Sequence, residues 1–300
     1  MPSRTLIAGA TGFVGGRLAK ALAESGAPLR CLVRDPERGR HLEGAGMELH
    51  VGDITEAESL AGAGEGVGVA YYLVHAMAGG EGFAERERVG ALNFARMAKR
   101  EGVERVVYLG GLGEESESQH LRSRHLTAQM LIEEGPPLTY FRAAMVVGAG
   151  SESYRTLRYL VGRLPVMIAP SWLRQATQPI GIDATVEYLR RAPEVPESRG
   201  REVQIGGPDV VSYGEMLDRM AIAMGKRPRR QLPVPLISPS LSALWLGLVT
   251  PVDVRVARPL VEGLTTATVV TDRSGAEPFG IEPEPFDEAL RRALAEEEAG

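Results

Sequence analysis

The chain is nearly without cysteine. Cys31 is the single one in 300 residues, so no disulfide can form within the chain and no cysteine metal cluster can be built. It stands in the apolar run Pro28–Val33, where a thiol packs as a small, inert hydrophobe. Positive charge is in deficit as well: 34 Lys and Arg against 39 Asp and Glu leave a net charge of −5. That balance argues against a nucleic-acid partner. The local exception, GKRPRR (Gly225–Arg230), has no aromatic residue within it and reads as a basic surface loop. Histidine is sparse, and His120 and His125 would lie about 140° apart around a helix, too far to share a metal; no metal site is expected. A long unbroken apolar run is also missing. Gln231–Val252 carries no charge and has a spanning length, but prolines interrupt it and only Pro239–Val249 reads as helical. It is expected as a lid over a substrate pocket, with peripheral membrane contact as the alternative. The opening MPSRTLIAGA enters a strand without a signal-peptide apolar region, which makes the cytoplasm the expected compartment.

What the chain does have is alternation. TLIAG (Thr5–Gly9), PLRCLV (Pro28–Val33), MELHV (Met47–Val51), VGVAYYLV (Val67–Val74), RVVYLG (Arg105–Gly110) and LTYFRAAMVVG (Leu138–Gly148) read as strands. Between them Phe13–Ser25, Gly82–Glu101 and His120–Glu134 carry helical apolar spacing. This order, with nearly continuous apolar strands, predicts an α/β fold: a doubly wound parallel sheet covered on both faces. After Gly150 a helix, two short strands (QPIGI and EVQIGG) expected to return to the sheet, and a proline-rich, helical remainder follow. They predict a dinucleotide-type lobe from 1–150 plus 176–206. A small, discontinuous substrate or lid lobe would come from 151–175 plus 207–300.

GATGFVG places Gly9, Gly12 and Gly15 between the first strand and the first helix. The first glycine allows the tight turn, the second lets backbone approach a pyrophosphate, and the third lets helix and strand pack closely. The helix N-terminus adds N–H donors and partial positive charge. The expected cofactor cradle is therefore Gly9, Thr11, Gly12, Phe13, Val14 and Gly15. Arg34 follows the second strand, where NAD sites carry an acid. A guanidinium there suits a ribose 2′-phosphate, so NADP(H) is expected over NAD(H). The other reading is a solvated arginine in RDPERGR. In GDITE, Asp53 and its neighbour Ile54 follow the third strand. Asp53 either accepts from the adenine amino group or caps the next helix.

GATGFVG, RDPER, GDITE, GVERVVYLGGL, HLTAQMLIEEG, LTYFRAAMVVG, QPIGID and IGGPDVVSYGEM occur in this order. With them the chain resembles the atypical, extended short-chain dehydrogenases/reductases of the NmrA-like type, including sequences described as nucleoside-diphosphate-sugar epimerases. The resemblance implies a Rossmann-like lobe with a small C-terminal substrate lobe. It implies cofactor contacts at Val74 and His75, at Gly110, and at Ala143, Ala144, Met145 and Val146, and a site-ordering role for Asn93. Active relatives carry Ser or Thr at the end of the fifth strand, then Tyr-x-x-x-Lys. This chain has LGGLG there, then His120-Leu-Arg-Ser-Arg124. His120 and Arg124 share a helical face. Arg124 is expected to position the cofactor. His120, its charged form disfavoured by that cation, is not expected to be an essential acid.

The candidate catalytic residues are His75, His120 and Tyr154. His75 either faces the cofactor or packs under the glycine-bearing loop Ala76–Gly82, itself a flap or a plain connection. Tyr154, Tyr159, Arg155 and Arg158 lie in the helix after GAGSES, where surface or packing roles compete with substrate contact. Arg142 is expected to anchor the sheet edge or a carboxylate. The leading reading is an NADP(H)-binding oxidoreductase acting on a small, apolar, quinone-like substrate. Two others stand beside it: a non-catalytic dinucleotide sensor, and a sugar-nucleotide epimerase.

Overall fold

The computed structural model describes residues 4–43, 47–74, 82–113, 119–164, 166–234 and 266–299. Its first half alternates β1 (Arg4–Ala8), α1 (Phe13–Glu24), β2 (Leu29–Val33), α2 (Pro36–Glu43), β3 (Glu48–Val51), β4 (Val67–Tyr72), α3 (Phe83–Arg100), β5 (Arg105–Gly111), α4 (Gln119–Glu134) and β6 (Leu138–Ala143). There follow β7 (Val146–Val147), α5 (Glu152–Arg163), β8 (Val166–Pro170), β9 (Ala176–Thr177), β10 (Ile180–Gly181), α6 (Ile182–Arg191), β11 (Glu202–Ile205), β12 (Val211–Ser212), α7 (Tyr213–Ala223), β13 (Arg230–Val234) and a C-terminal helix, Phe286–Ala299.

The main sheet has seven strands in the order β11-β6-β5-β4-β1-β2-β3, every neighbouring pair parallel. The chain reverses direction across the sheet between β1 and β4, the switch point beside which ligands bind in such sheets. This is a Rossmann-like α/β fold. Its strands are apolar on both sides because both faces are covered: Leu29 to Val33 are all buried. On one face α1 lays down Gly15, Leu18, Ala19 and Leu22, at helical spacing, beside Ile182, Val186 and Leu189 of α6. On the other, Phe94 and Met97 of α3 and Leu131 of α4 pack on Tyr72, Tyr108 and Tyr140.

A separate apolar cluster joins α5, α7 and the C-terminal helix through Tyr154, Leu157, Met216, Leu217, Met220, Phe286 and Leu290. Ser212 starts α7 with a complete capping box to Glu215. Two expectations change here. LTYFRAAMVVG is two strands, not one: the chain leaves the sheet after Ala143 and resumes as β7. QPIGI pairs with β7 in its own small sheet, and only the EVQIGG segment, β11, joins the main sheet, beside β6. Isolated two-residue strands carry no periodicity from which to choose between partners.

Candidate functional site

The register sets one row of loops along the carboxyl edge of the sheet. Ala8 pairs with Leu32 and with Tyr72, and Tyr72 with Tyr108. The segments after β2, β1, β4, β5 and β6 therefore emerge side by side. They carry Arg34, Gly9–Gly15, Leu73–Val74, Gly110–Gly113 and Ala143–Met145.

The glycine turn has a steric cause at each position. Gly9 has φ +95°, and a Cβ there would stand 2.5 Å from the Leu73 carbonyl oxygen; only glycine fits. A Cβ on Gly15 would come 2.1 Å from Gly9 O, while on Gly12 it would come 3.2 Å from the same atom. Thr11 and Gly12 are exposed, Phe13 and Val14 half-buried, and Gly15 buried. Gly12 N donates to Gly9 O at 2.9 Å, and Gly16 N to Gly12 O at 2.9 Å. No side chain caps α1, so its first-turn amides stay available to an anion. A cradle that side chains would fill, ending in an uncapped helix, fits a dinucleotide pyrophosphate.

Arg34 follows β2 and is exposed. Asp35 does not neutralise it; its carboxylate accepts from Glu37 N at 3.0 Å and opens α2. Asp53 accepts from Thr55 N at 2.9 Å and Thr55 Oγ1 at 2.7 Å, ordering the turn after β3. Asn93 Nδ2 donates to Ile54 O at 2.9 Å, so α3 fixes the same turn. Val74 ends the described part of the β4 loop.

At the end of β5 the glycine at 110 has a steric reason. A Cβ on Gly110 would come 2.8 Å from Tyr140 Oη and 2.7 Å from its ring. Tyr140 itself stacks on Tyr108, with centroids 5.3 Å apart. A serine cannot stand at 110 without moving Tyr140. Arg124, half-buried on α4, sends Nη1 to Leu109 O at 3.5 Å. Its charge opposes the burial that pushes the Tyr108 phenol well above the ordinary tyrosine range. Arg142 pins the same loop, with Nε to Gly111 O at 3.1 Å, Nη2 to Gly113 O at 2.6 Å and Nη1 to Glu202 at 2.8 Å. The expectation for Arg142 named the sheet edge and a carboxylate but not the loop carbonyls. Ala143 is buried and Ala144 and Met145 half-buried at the end of the row.

Tyr154 is placed elsewhere. Its ring is buried in the α5 cluster and its hydroxyl donates to Glu297 Oε2 at 3.0 Å. Burial, then that carboxylate, push its phenol well up; it is a packing residue with a bonded hydroxyl. His75, the Ala76–Gly82 loop up to 81 and most of Gln231–Val252 lie outside the described residues, as does the His120 side chain. Cys31 is buried beside Met47, its thiol pushed up to about 11 by burial. Among the described residues, no three His, Cys, Asp or Glu side chains converge on a metal position. No helix among them is long and apolar enough to cross a membrane.

Residues 9–141 match the family model described as NAD(P)H-binding. The chain is 31% identical over 113 residues to sterol demethylase protein B of Methylococcus capsulatus, spanning 36% of this chain and 34% of that protein. The chain thus matches about a third of that relative's length. Two solved structures share the fold along nearly the whole chain. A Citrobacter sp. triphenylmethane reductase complexed with NADP(H) superposes with a TM-score of 0.77 at 17% identity, covering 97% of this chain and 100% of that one. An NADPH-dependent quinone oxidoreductase from Escherichia coli, complexed with NADPH, superposes at 0.75 and 16% identity, covering 97% and 99%. The match to the NAD(P)H-binding domain contains the glycine turn, Arg34, Asp53, Asn93 and the β5 loop.

Proposed function

We propose that the chain is an NADP(H)-dependent reductase of a small, apolar, quinone-like substrate, working in the cytoplasm. The observation that carries the reading is the glycine cradle with Arg34 beside it, exposed and in no ion pair or hydrogen bond to a described residue. Thr11 and Phe13 to Gly15 would hold the pyrophosphate through backbone amides, with Gly12 leaving room for its approach. Arg34 would bind the ribose 2′-phosphate, and Asp53 with Ile54 would flank the adenine. Arg124 and the backbone of Gly110 and Ala143–Met145 would orient the nicotinamide end. The bound nicotinamide supplies the hydride. Arg124 stays protonated and positions without exchanging a proton. Residues 151–175 plus 207–300 would form the substrate lobe, with Gln231–Val252 as its apolar lid. The same fold holds NADP(H) in the triphenylmethane reductase and NADPH in the quinone oxidoreductase, which supports the cofactor; the substrate class follows the second of them.

A second reading, a dinucleotide sensor without turnover, is favoured by one observation: the chain carries LGGLG and then His120-Leu-Arg-Ser-Arg124 where active members of the family it resembles carry a serine or threonine and then Tyr-x-x-x-Lys. One experiment separates the two. NADPH and NADH oxidation is followed at 340 nm with a panel of soluble quinones, on protein whose dinucleotide affinity has been measured by calorimetry. Turnover with NADPH preferred supports the reductase. Tight NADPH binding without turnover on any quinone supports the sensor. Equal affinity for both dinucleotides refutes the role of Arg34.

A further inference from the structure

The first turn of α1 is fastened to the far end of the chain. Arg17 Nη2 donates to Ala149 O at 3.0 Å and to the Glu296 carboxylate. Its guanidinium carbon lies 4.8 Å from the centre of the Phe13 ring, four residues earlier and on the same helical face. That ring rests against the strand-end turn after β7: a Cβ on Gly148 would come 3.0 Å from Phe13 Cζ, and one on Gly150 3.6 Å from its Cδ2. The residue after Glu296 serves the other cluster. Glu297 accepts from Tyr154 Oη at 3.0 Å and pairs with Arg158 at 3.1 Å. One turn earlier, Arg292 pairs with Asp183 at the start of α6 and with Glu284 at 2.7 Å. The C-terminal helix therefore grips α1 and α6 under the sheet edge with one side and α5 with the other.

We propose that Arg17 and Glu296 form a latch that sets the phosphate turn and couples its occupancy to the C-terminal helix. The inference rests on the reading that residues 9–15 hold a dinucleotide. Phe13 is the first residue of α1 and its N–H is one of the uncapped amides. Holding its ring between Arg17 and Gly148 restrains the Cα next to that N–H, and with it the position of the turn. Arg17 is thus a positioning residue, acting through Phe13. The pair is partly exposed, at 27% and 53% of its side chains, so it adds little to stability by itself. Its effect lies in geometry. Coupling of this kind is reciprocal: whatever the latch adds to dinucleotide affinity, the dinucleotide returns to the helix.

The test is hydrogen–deuterium exchange on the full chain with and without saturating NADPH, together with calorimetry on Arg17→Met, Glu296→Gln and the double variant. NADPH is expected to slow exchange across 286–299 in the wild type. Each single variant is expected to weaken NADPH binding about fivefold or more and to abolish that protection. The double variant should be no worse than either single one, and Arg17→Lys should recover part of the affinity. Unfolding midpoints without ligand should stay close to wild type, which separates positioning from a folding defect. If NADPH binds and exchange across 286–299 is unchanged, the latch is refuted while the dinucleotide site stands. If the single effects on affinity simply add, the pair is not one device. If neither NADPH nor NADH binds the wild type, the latch and the function it rests on fall together.

Discussion

Gly12 and Gly15 belong to one turn, yet substitution at each should fail differently. A valine at 15 drives its Cβ into the Gly9 carbonyl. Overpacking of that kind costs about 1–3 kcal/mol, and thermal unfolding should show a lowered midpoint. Gly12 faces solvent, so Gly12→Val should keep its circular dichroism and lose dinucleotide binding in calorimetry. Arg34→Ala should weaken NADPH about tenfold, from the lower end of the roughly 1.5–3 kcal/mol of a hydrogen bond to a charged group, because the site is exposed. NADH affinity should not change. At α4, Arg124→Ala should weaken NADPH several-fold in the same measurement, and His120→Ala should leave it nearly unaltered.

Elements are held in place by charged groups at their ends, and one of them gives a pH signature. On α6 the Arg190 hydrogen bond holds the Glu187 carboxyl below its usual 4.5; burial opposes this and Arg191 adds to it. An acid depressed in the folded state contributes stability that is present above its unfolded pKa and lost as pH falls through the folded one. Wild-type unfolding midpoints should therefore exceed those of Glu187→Gln by a constant margin above about pH 5. The margin should close on acidification below 4.5. A margin unchanged at pH 3 would place the contribution of Glu187 outside its charge. The elements themselves were largely legible. Alternating apolar runs gave β1 to β5, α1, α3 and α4 to within a few residues, and the start of β6. The short α2 was not, because its one clear signal, the Asp35 side chain on Glu37 N, sits inside a stretch that also reads as a solvated loop.

For the whole molecule, a ligand that binds only the folded chain stabilises it by mass action. At a hundred times its Kd, NADPH should add about 2.7 kcal/mol, visible as an upward shift of the unfolding midpoint. Gly12→Val should show no shift at the same concentration, which ties the whole-chain effect to the phosphate turn.

Local chemistry was enough to determine the glycine turn, the parallel sheet and the position of Arg34. Each depends on residues adjacent in sequence: a strand, its turn and the helix it starts. The pairings Arg17–Glu296, Tyr154–Glu297 and Asn93–Ile54, and the filling of the Gly110 site by Tyr140, link residues from 30 to 279 positions apart. No periodicity or motif joins such positions. They meet only once the sheet register and the packing of the C-terminal helix are set. The sequence could therefore show that a serine was missing after β5. Only the tertiary structure showed that the phenol of Tyr140, from the neighbouring strand, closes the space beside Gly110.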